Sequence, residues 1–264
     1  MPASFFTTAD GDWFQPTDHC RGPWDPDACH AGPPAGLMAR AVEALVPTQR
    51  LVRLTVDLVR PIPHAGFRLV AETARAGRTV STTVVAILDA DGRERVSARG
   101  LHITAREGLE LPTTRWDPPS LRDSEPGGFP LRAPRRHDLP AFNGPGVEVR
   151  YPPGEVSTPG PTTVWMRTVP LLPDEDPSPF QRICPLADCG NAISRNAEPD
   201  VVAFVNPDLT IVLHRDPVGE WLGSSAVSRW EPSGIGMADA LLFDEQGAVG
   251  RAVQTLVVTP VGSA

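Results

Sequence analysis

Lysine is absent from the chain: all 24 Lys-plus-Arg positions are arginine. With 31 prolines and 23 glycines beside abundant alanine, this reflects GC-rich coding DNA and carries no mechanism. Positive charge is scarce overall, since 32 acidic residues leave a net charge of -8 and a pI of about 5.2. Such a balance argues against nucleic acid or an anionic membrane as partner, because both select a basic surface. A local arginine cluster would still suffice for a small anion. Cysteine is sparse. Cys20, Cys29, Cys184 and Cys189 form no C-x-x-C pair, and no two histidines have zinc-site spacing. Neither a metal site nor a cofactor is expected. No apolar run approaches the roughly 20 residues a bilayer demands. Met1 to Asp10 also lacks the basic-then-apolar order of a signal peptide. These absences set the expectation of a cytoplasmic protein with free thiols. What is present is a hydrophobic fraction of 41%, enough for a sizeable core, and a length of 264 residues, which allows one or two domains.

An internal repeat organises the chain. Leu54-Thr55-Val56-Asp57-Leu58-Val59-Arg60 resembles Leu209-Thr210-Ile211-Val212-Leu213-His214-Arg215, at an offset of 209 − 54 = 155. The same offset brings Asp89-Ala90-Asp91-Gly92 onto Asp244-Glu245-Gln246-Gly247, and Leu101 onto Leu256. Turn signals and apolar runs thus stay in register with no gap from Gly32 to Thr104. Each half reads as one helix followed by four strands. The helices are expected over Pro33–Leu45 and Leu186–Ala197, the first opening on two prolines. The strands are expected over Arg50–Arg60, Gly66–Ala76, Thr79–Leu88 and Arg95–Ala105, then over Val202–His214, Glu220–Arg229, Gly236–Phe243 and Val249–Thr259. The Pro-rich stretch between the halves reads as a linker with two entry strands, Gly146–Tyr151 and Thr162–Val169.

A helix followed by antiparallel strands in a unit of this size is the hot-dog pattern, a sheet wrapped around a helix. The expected fold is therefore α+β, a tandem hot-dog. Residues 1–106 form the first unit, 107–143 the linker and 144–264 the second. Sheet edges of this kind commonly pair across subunits, so a homo-oligomer is expected.

The halves differ where chemistry would sit. Asp188 falls where Pro33 stands, in what reads as the first turn of a helix, and there it complements the helix dipole. Gln254 replaces Arg99 and shares a strand face with Ala252, Leu256 and Val258, where a lone amide needs partners. Asn206, Asp208 and Thr210 alternate with apolar residues and read as one face of a strand.

These features resemble the type II acyl-CoA thioesterase family. The likeness rests on Gly32-Pro33-Pro34-Ala35-Gly36-Leu37 and Arg60-Pro61 in the first half. In the second half it rests on Leu186-Ala187-Asp188, Leu213-His214-Arg215, Glu220-Trp221-Leu222 and Val253-Gln254. The resemblance implies a double hot-dog that hydrolyses acyl-CoA or related acyl thioesters, by water held between an Asp, a Thr or Ser, and a Gln. Asp188 and Gln254 occupy the first and last positions. The hydroxyl position falls on Asn206, with Thr210 the nearest substitute. Backbone N–H groups near Gly32 or Gly190 would polarise the thioester carbonyl, and Arg60, Arg195 and Arg215 would meet the phosphates of coenzyme A. Two rivals stand beside this reading. One is a hot-dog hydratase for enoyl thioesters, which needs an Asp–His pair, and no histidine follows Asp188 in its helix. The other is a non-catalytic acyl-thioester-binding protein.

Overall fold

The computed structural model describes residues 3–8, 12–106, 108–131 and 139–262. Glu107 and residues 132–138 of the expected linker lie outside the described residues. The first half holds β1 (Phe6–Thr8), β2 (Trp13–Pro16), a 3-10 turn (Asp18–Cys20), α1 (Gly32–Leu45), β3 (Arg50–Asp57), β4 (Phe67–Arg75), β5 (Val80–Leu88) and β6 (Glu94–Ile103). Then come β7 (Glu125–Gly127), β8 (Val147–Tyr151), β9 (Thr162–Thr168), α2 (Pro179–Ala187), α3 (Gly190–Ile193), β10 (Val202–Val205), β11 (Asp208–Leu213), β12 (Leu222–Trp230), β13 (Ile235–Asp244) and β14 (Gly247–Pro260).

Local chemistry accounts for these elements. In β5 the residues Ser81, Thr83, Val85 and Ile87 are buried while their neighbours are half-exposed, the period-2 pattern of a strand with one face on the core. The helix α1 starts on Pro33 and Pro34, whose missing N–H groups cost nothing in a first turn. It buries Leu37, Met38 and Val42. The repeated hairpin turns use aspartate in the same way. Asp89 accepts from the N–H groups of Asp91 and Arg93, and Asp244 from that of Gln246. Gly92 and Gly247 supply the positive φ of +75° and +124° that the chain needs there.

The strands form one continuous antiparallel sheet in the order β1-β2-β4-β5-β6-β3-β11-β14-β13-β12-β9-β8-β7, with β10 also paired to β14. Read outward from the β3·β11 seam, the two halves repeat the same order of equivalent strands. Across the seam Thr55 lies opposite Thr210, and these two are related by the repeat offset of 155. A local two-fold axis therefore passes between them. The helix α1 packs on β3 to β6, and α2 on β11 and β12. A double hot-dog results, as the repeat predicts.

Two expectations are corrected here. The second helix does not run over Leu186–Ala197. It starts at Pro179, capped by Ser178, whose side chain accepts from the Gln181 N–H at 3.2 Å. It stops at Ala187 and resumes for one turn as α3. The helix starts therefore differ by 179 − 32 = 147 residues rather than 155, and the extra length lies between α3 and β10. The expected strand Val202–His214 is likewise split at Asn206-Pro207 into β10 and β11.

Candidate active site

The junction between α2 and α3 places Asp188. Its backbone caps the end of α2, donating to the carbonyls of Cys184 and Leu186. The carboxyl is therefore not at a helix start, and the dipole account does not apply. Asp188 is 5% exposed. Its Oδ1 accepts from Gln254 Nε2 and from Asn206 Nδ2, both at 3.0 Å. Its Oδ2 lies 3.1 Å from Nδ1 of His30. The N–H of Gly32 also reaches the carboxylate.

Gln254, 1% exposed on β14, is satisfied in full. Its amide also donates to the Asp188 carbonyl at 3.1 Å, and its Oε1 accepts from the Asn191 N–H at 3.0 Å. The partners that a buried amide requires are thus supplied by the helix junction. Gly190 makes this approach possible, since a Cβ there would stand 3.2 Å from Gln254 Oε1.

Asn206 reaches Asp188 because of a bulge. Val205 lies opposite Val257 and Thr210 opposite Val253, so five steps along β10–β11 match four along β14. One extra residue reverses the in–out alternation. Phe204 is buried before the bulge, whereas Leu209, Ile211 and Leu213 are buried after it. Asn206 thus shares the inward side with Phe204. Its Nδ2 bonds Asp188 and the Asp208 carbonyl, and its Oδ1 accepts from Asn191 Nδ2 at 3.1 Å. The expectation that Asn206, Asp208 and Thr210 share a face is corrected. Asp208 accepts from the Thr255 N–H at 2.7 Å, and Thr210 meets Thr55 at 3.4 Å on the seam, away from Asp188.

A cavity of about 410 Å³ opens beside this cluster. His30, Asp188, Asn191 and Asn206 form its polar wall. Trp24, Phe129, Leu131, Phe142 and Phe204 make much of the rest. Phe129, Leu131 and Phe142 come from the stretch read as a linker. Arg60 lines the same cavity, with an exposed side chain. Gly32 and Gly190 do not line it. Gly32 sits where α1 crosses α2, with room for no Cβ: one would stand 2.9 Å from Pro185 Cα. Its N–H donates to His30 Nδ1 at 3.1 Å. Arg215 is engaged elsewhere, in a bidentate ion pair with the fully buried Asp244 at 2.6 and 2.7 Å. Arg195, 1% exposed, pairs with Glu198 at 2.7 Å. Among the described residues no group of His, Cys, Asp and Glu is arranged to hold a metal ion, and no helix is long and apolar enough to cross a membrane.

Sequence reasoning did not find His30. It lies 158 residues from Asp188 along the chain, so no spacing rule links them. The fold joins them by bringing the start of α1 against the end of α2. Burial pulls the imidazole below its ordinary pKa, against the pull of the Asp188 charge. Burial also raises the Asp188 carboxyl above the usual range, against the combined effect of His30, Asn206, Gln254 and the Gly32 N–H.

The continuous sheet, the two enclosed helices and the buried Asp–amide cluster define a double hot-dog protein of the thioesterase class. The family model for the acyl-CoA thioesterase N-terminal domain matches residues 20–103, and that for the C-terminal domain matches residues 118–258. The chain belongs to this acyl-CoA thioesterase family. Solved structures share its fold. A candidate thioesterase from Novosphingobium aromaticivorans is similar with a TM-score of 0.75 at 20% identity, over 96% of this chain and 98% of that one. A hot-dog protein of unknown function from Alicyclobacillus acidocaldarius gives 0.72 at 19%, over 96% and 95%. An acyl-CoA thioesterase II from Mycobacterium marinum gives 0.61 at 17%, over 98% and 96%. None of the curated proteins compared with the chain matches it.

Proposed function

We propose that the protein hydrolyses acyl thioesters, with acyl-CoA as the substrate class, releasing a free acid and a thiol. The observation that carries this reading is the buried Asp188 carboxylate, held by Gln254 and Asn206, at the polar wall of an otherwise apolar cavity. An acyl group would lie against Trp24, Phe129, Phe142 and Phe204. The thioester would then meet the polar wall, with the coenzyme passing Arg60. Asp188 supplies the negative charge that draws a proton from the attacking water. The two amides fix the carboxylate, so that little reorganisation is needed during the reaction. Asn206 stands where the family resemblance implies a hydroxyl. Its own donors and acceptor are all used on Asp188, Asp208 and Asn191, so its part is to hold the carboxylate.

Thiol release from short, medium, long and aromatic acyl-CoAs tests this, with the wild type beside Asp188→Asn and Gln254→Ala. Release by the wild type that collapses in Asp188→Asn supports hydrolysis at this site. Release unchanged in Asp188→Asn would remove the site and leave the family assignment intact. The Asp188–His30 pair favours one second reading, addition of water to an enoyl thioester. Loss of enoyl absorbance without thiol release would establish that instead.

A further inference from the structure

Rings make up much of the apolar side of the cavity. We propose that the acyl group taken by this site ends in a single aromatic ring, as in arylacetyl thioesters, and that Phe204 and Trp24 read that ring. This rests on the hydrolytic reading above and names the substrate within it. Hydrolysis then yields an aryl-substituted carboxylic acid and the thiol.

The composition of the wall is the first ground. Leu131, Ala192 and Phe204 form a small buried cluster beside the main core, and Trp24, Phe129, Trp230 and Val258 pack against it. Four of these seven residues are aromatic, which sets this wall apart from the largely aliphatic main core. The second ground is how the rings stand. Trp24 and Phe204 meet edge to face, with centroids 6.1 Å apart and planes at 80°. Phe129 and Phe142 do the same at 5.9 Å and 87°. Such a wall offers ring edges and ring faces side by side. A flat ring among them gains edge-to-face contacts beyond the area it buries. A saturated ring of similar outline buries about as much area without that gain.

Reach and depth point the same way. Phe204 stands two residues before Asn206 on the same inward side, about 7 Å along the chain. Asn206 in turn holds Asp188. A ring joined to the thioester carbonyl through one carbon spans that interval. Beyond it the wall is closed, since Phe204 is 3% exposed and is backed by Trp230 with centroids 5.4 Å apart. A long straight chain would have to displace this cluster. Among the described residues lining the cavity the only Asp, Glu or Arg side chains are those of Asp188 and Arg60, so the acyl group carries no charge of its own.

The test compares kcat/KM for thiol release from phenylacetyl-CoA and cyclohexylacetyl-CoA, with palmitoyl-CoA beside them. The CH₂ next to the carbonyl keeps the chemical reactivity of the first two alike, so their ratio reports the ring. The wild type should favour phenylacetyl-CoA by about 5- to 100-fold, the effect of two edge-to-face contacts, and should turn over palmitoyl-CoA least. Phe204→Leu and Trp24→Leu, shown to be folded by thermal melts, should each bring the ratio down several-fold. A wild-type ratio within twofold of one, or a preference for palmitoyl-CoA, would overturn the aromatic substrate and spare hydrolysis. A high ratio retained in both variants would overturn the role of these two rings. No thiol release by the wild type from any acyl-CoA would overturn the hydrolytic reading and this one with it.

Discussion

At the residue scale the site is a set of hydrogen-bonding groups with few spare positions, so single changes have legible consequences. Truncating Gln254 to Ala leaves the Asn191 N–H without its side-chain partner and removes one of the two amide donors to Asp188 Oδ1. The expected cost is about 1–3 kcal/mol in a denaturant melt. Asp188→Asn is different, because the amide oxygen can still accept from Gln254 and Asn206. Its sign with pH follows from the raised carboxyl. A folded-state pKa above the unfolded one favours the fold at low pH, and that contribution is lost as pH climbs from about 3.8 through the folded value. Asp188→Asn should therefore melt higher than wild type at pH 8, lose that advantage toward pH 4, and be inactive throughout. Asp244 behaves oppositely. Burial works against its charge, yet the Arg215 guanidinium and the N–H groups of Val218 and Gln246 hold its carboxyl below the usual range. Its contribution is present above its unfolded pKa and lost as pH falls through the folded one. Arg215→Ala should cost about 3–5 kcal/mol at pH 7, with the deficit shrinking in acid.

At the element scale two irregularities make the site. A regular helix over Leu186–Ala197 would carry Asp188 on a different turn, and the break between α2 and α3 instead turns its carboxyl toward β14. A regular strand over Val202–His214 would aim Asn206 with Thr210, and the bulge aims it at Asp188. Neither was legible in the sequence, because a bulge or a helix break leaves apolar periodicity nearly intact on both sides. The crossing of α1 and α2 is the third determinant. A Cβ on Gly32 would press on backbone at 2.9 to 3.1 Å, and backbone cannot swing aside as a side chain can. Gly32→Ala should push the helices apart at a cost of about 1–3 kcal/mol. It should also lower kcat by separating His30 from Asp188, which thiol-release kinetics would show.

At the scale of the whole molecule neither half holds the site alone. His30 and Gly32 come from the first, Asp188, Asn206 and Gln254 from the second, and Phe129 and Phe142 from the stretch between them. Residues 1–106 and 144–264 made as separate chains should each release no thiol. Phe129, Leu131, Phe142 and Asn143 of the stretch between the halves form part of the cavity wall. Phe129→Ala should enlarge the acyl space, shifting preference across an acyl-CoA panel toward bulkier groups. If instead the preference is unmoved, the acyl group does not lie against that wall.

The amino-acid order alone determined the duplication, the strands, the hairpin turns and the family, because each of these is written in local periodicity or in short matching runs. It also marked Asp188 and Gln254, since a polar residue on an apolar face stands out without any contact being known. The tertiary structure alone decided what those residues touch. The pairing of His30 with Asp188 depends on two helices crossing between halves, and the inward turn of Asn206 depends on one residue of register against β14. Both are long-range relations whose energy is set by packing, so no local pattern in the sequence records them.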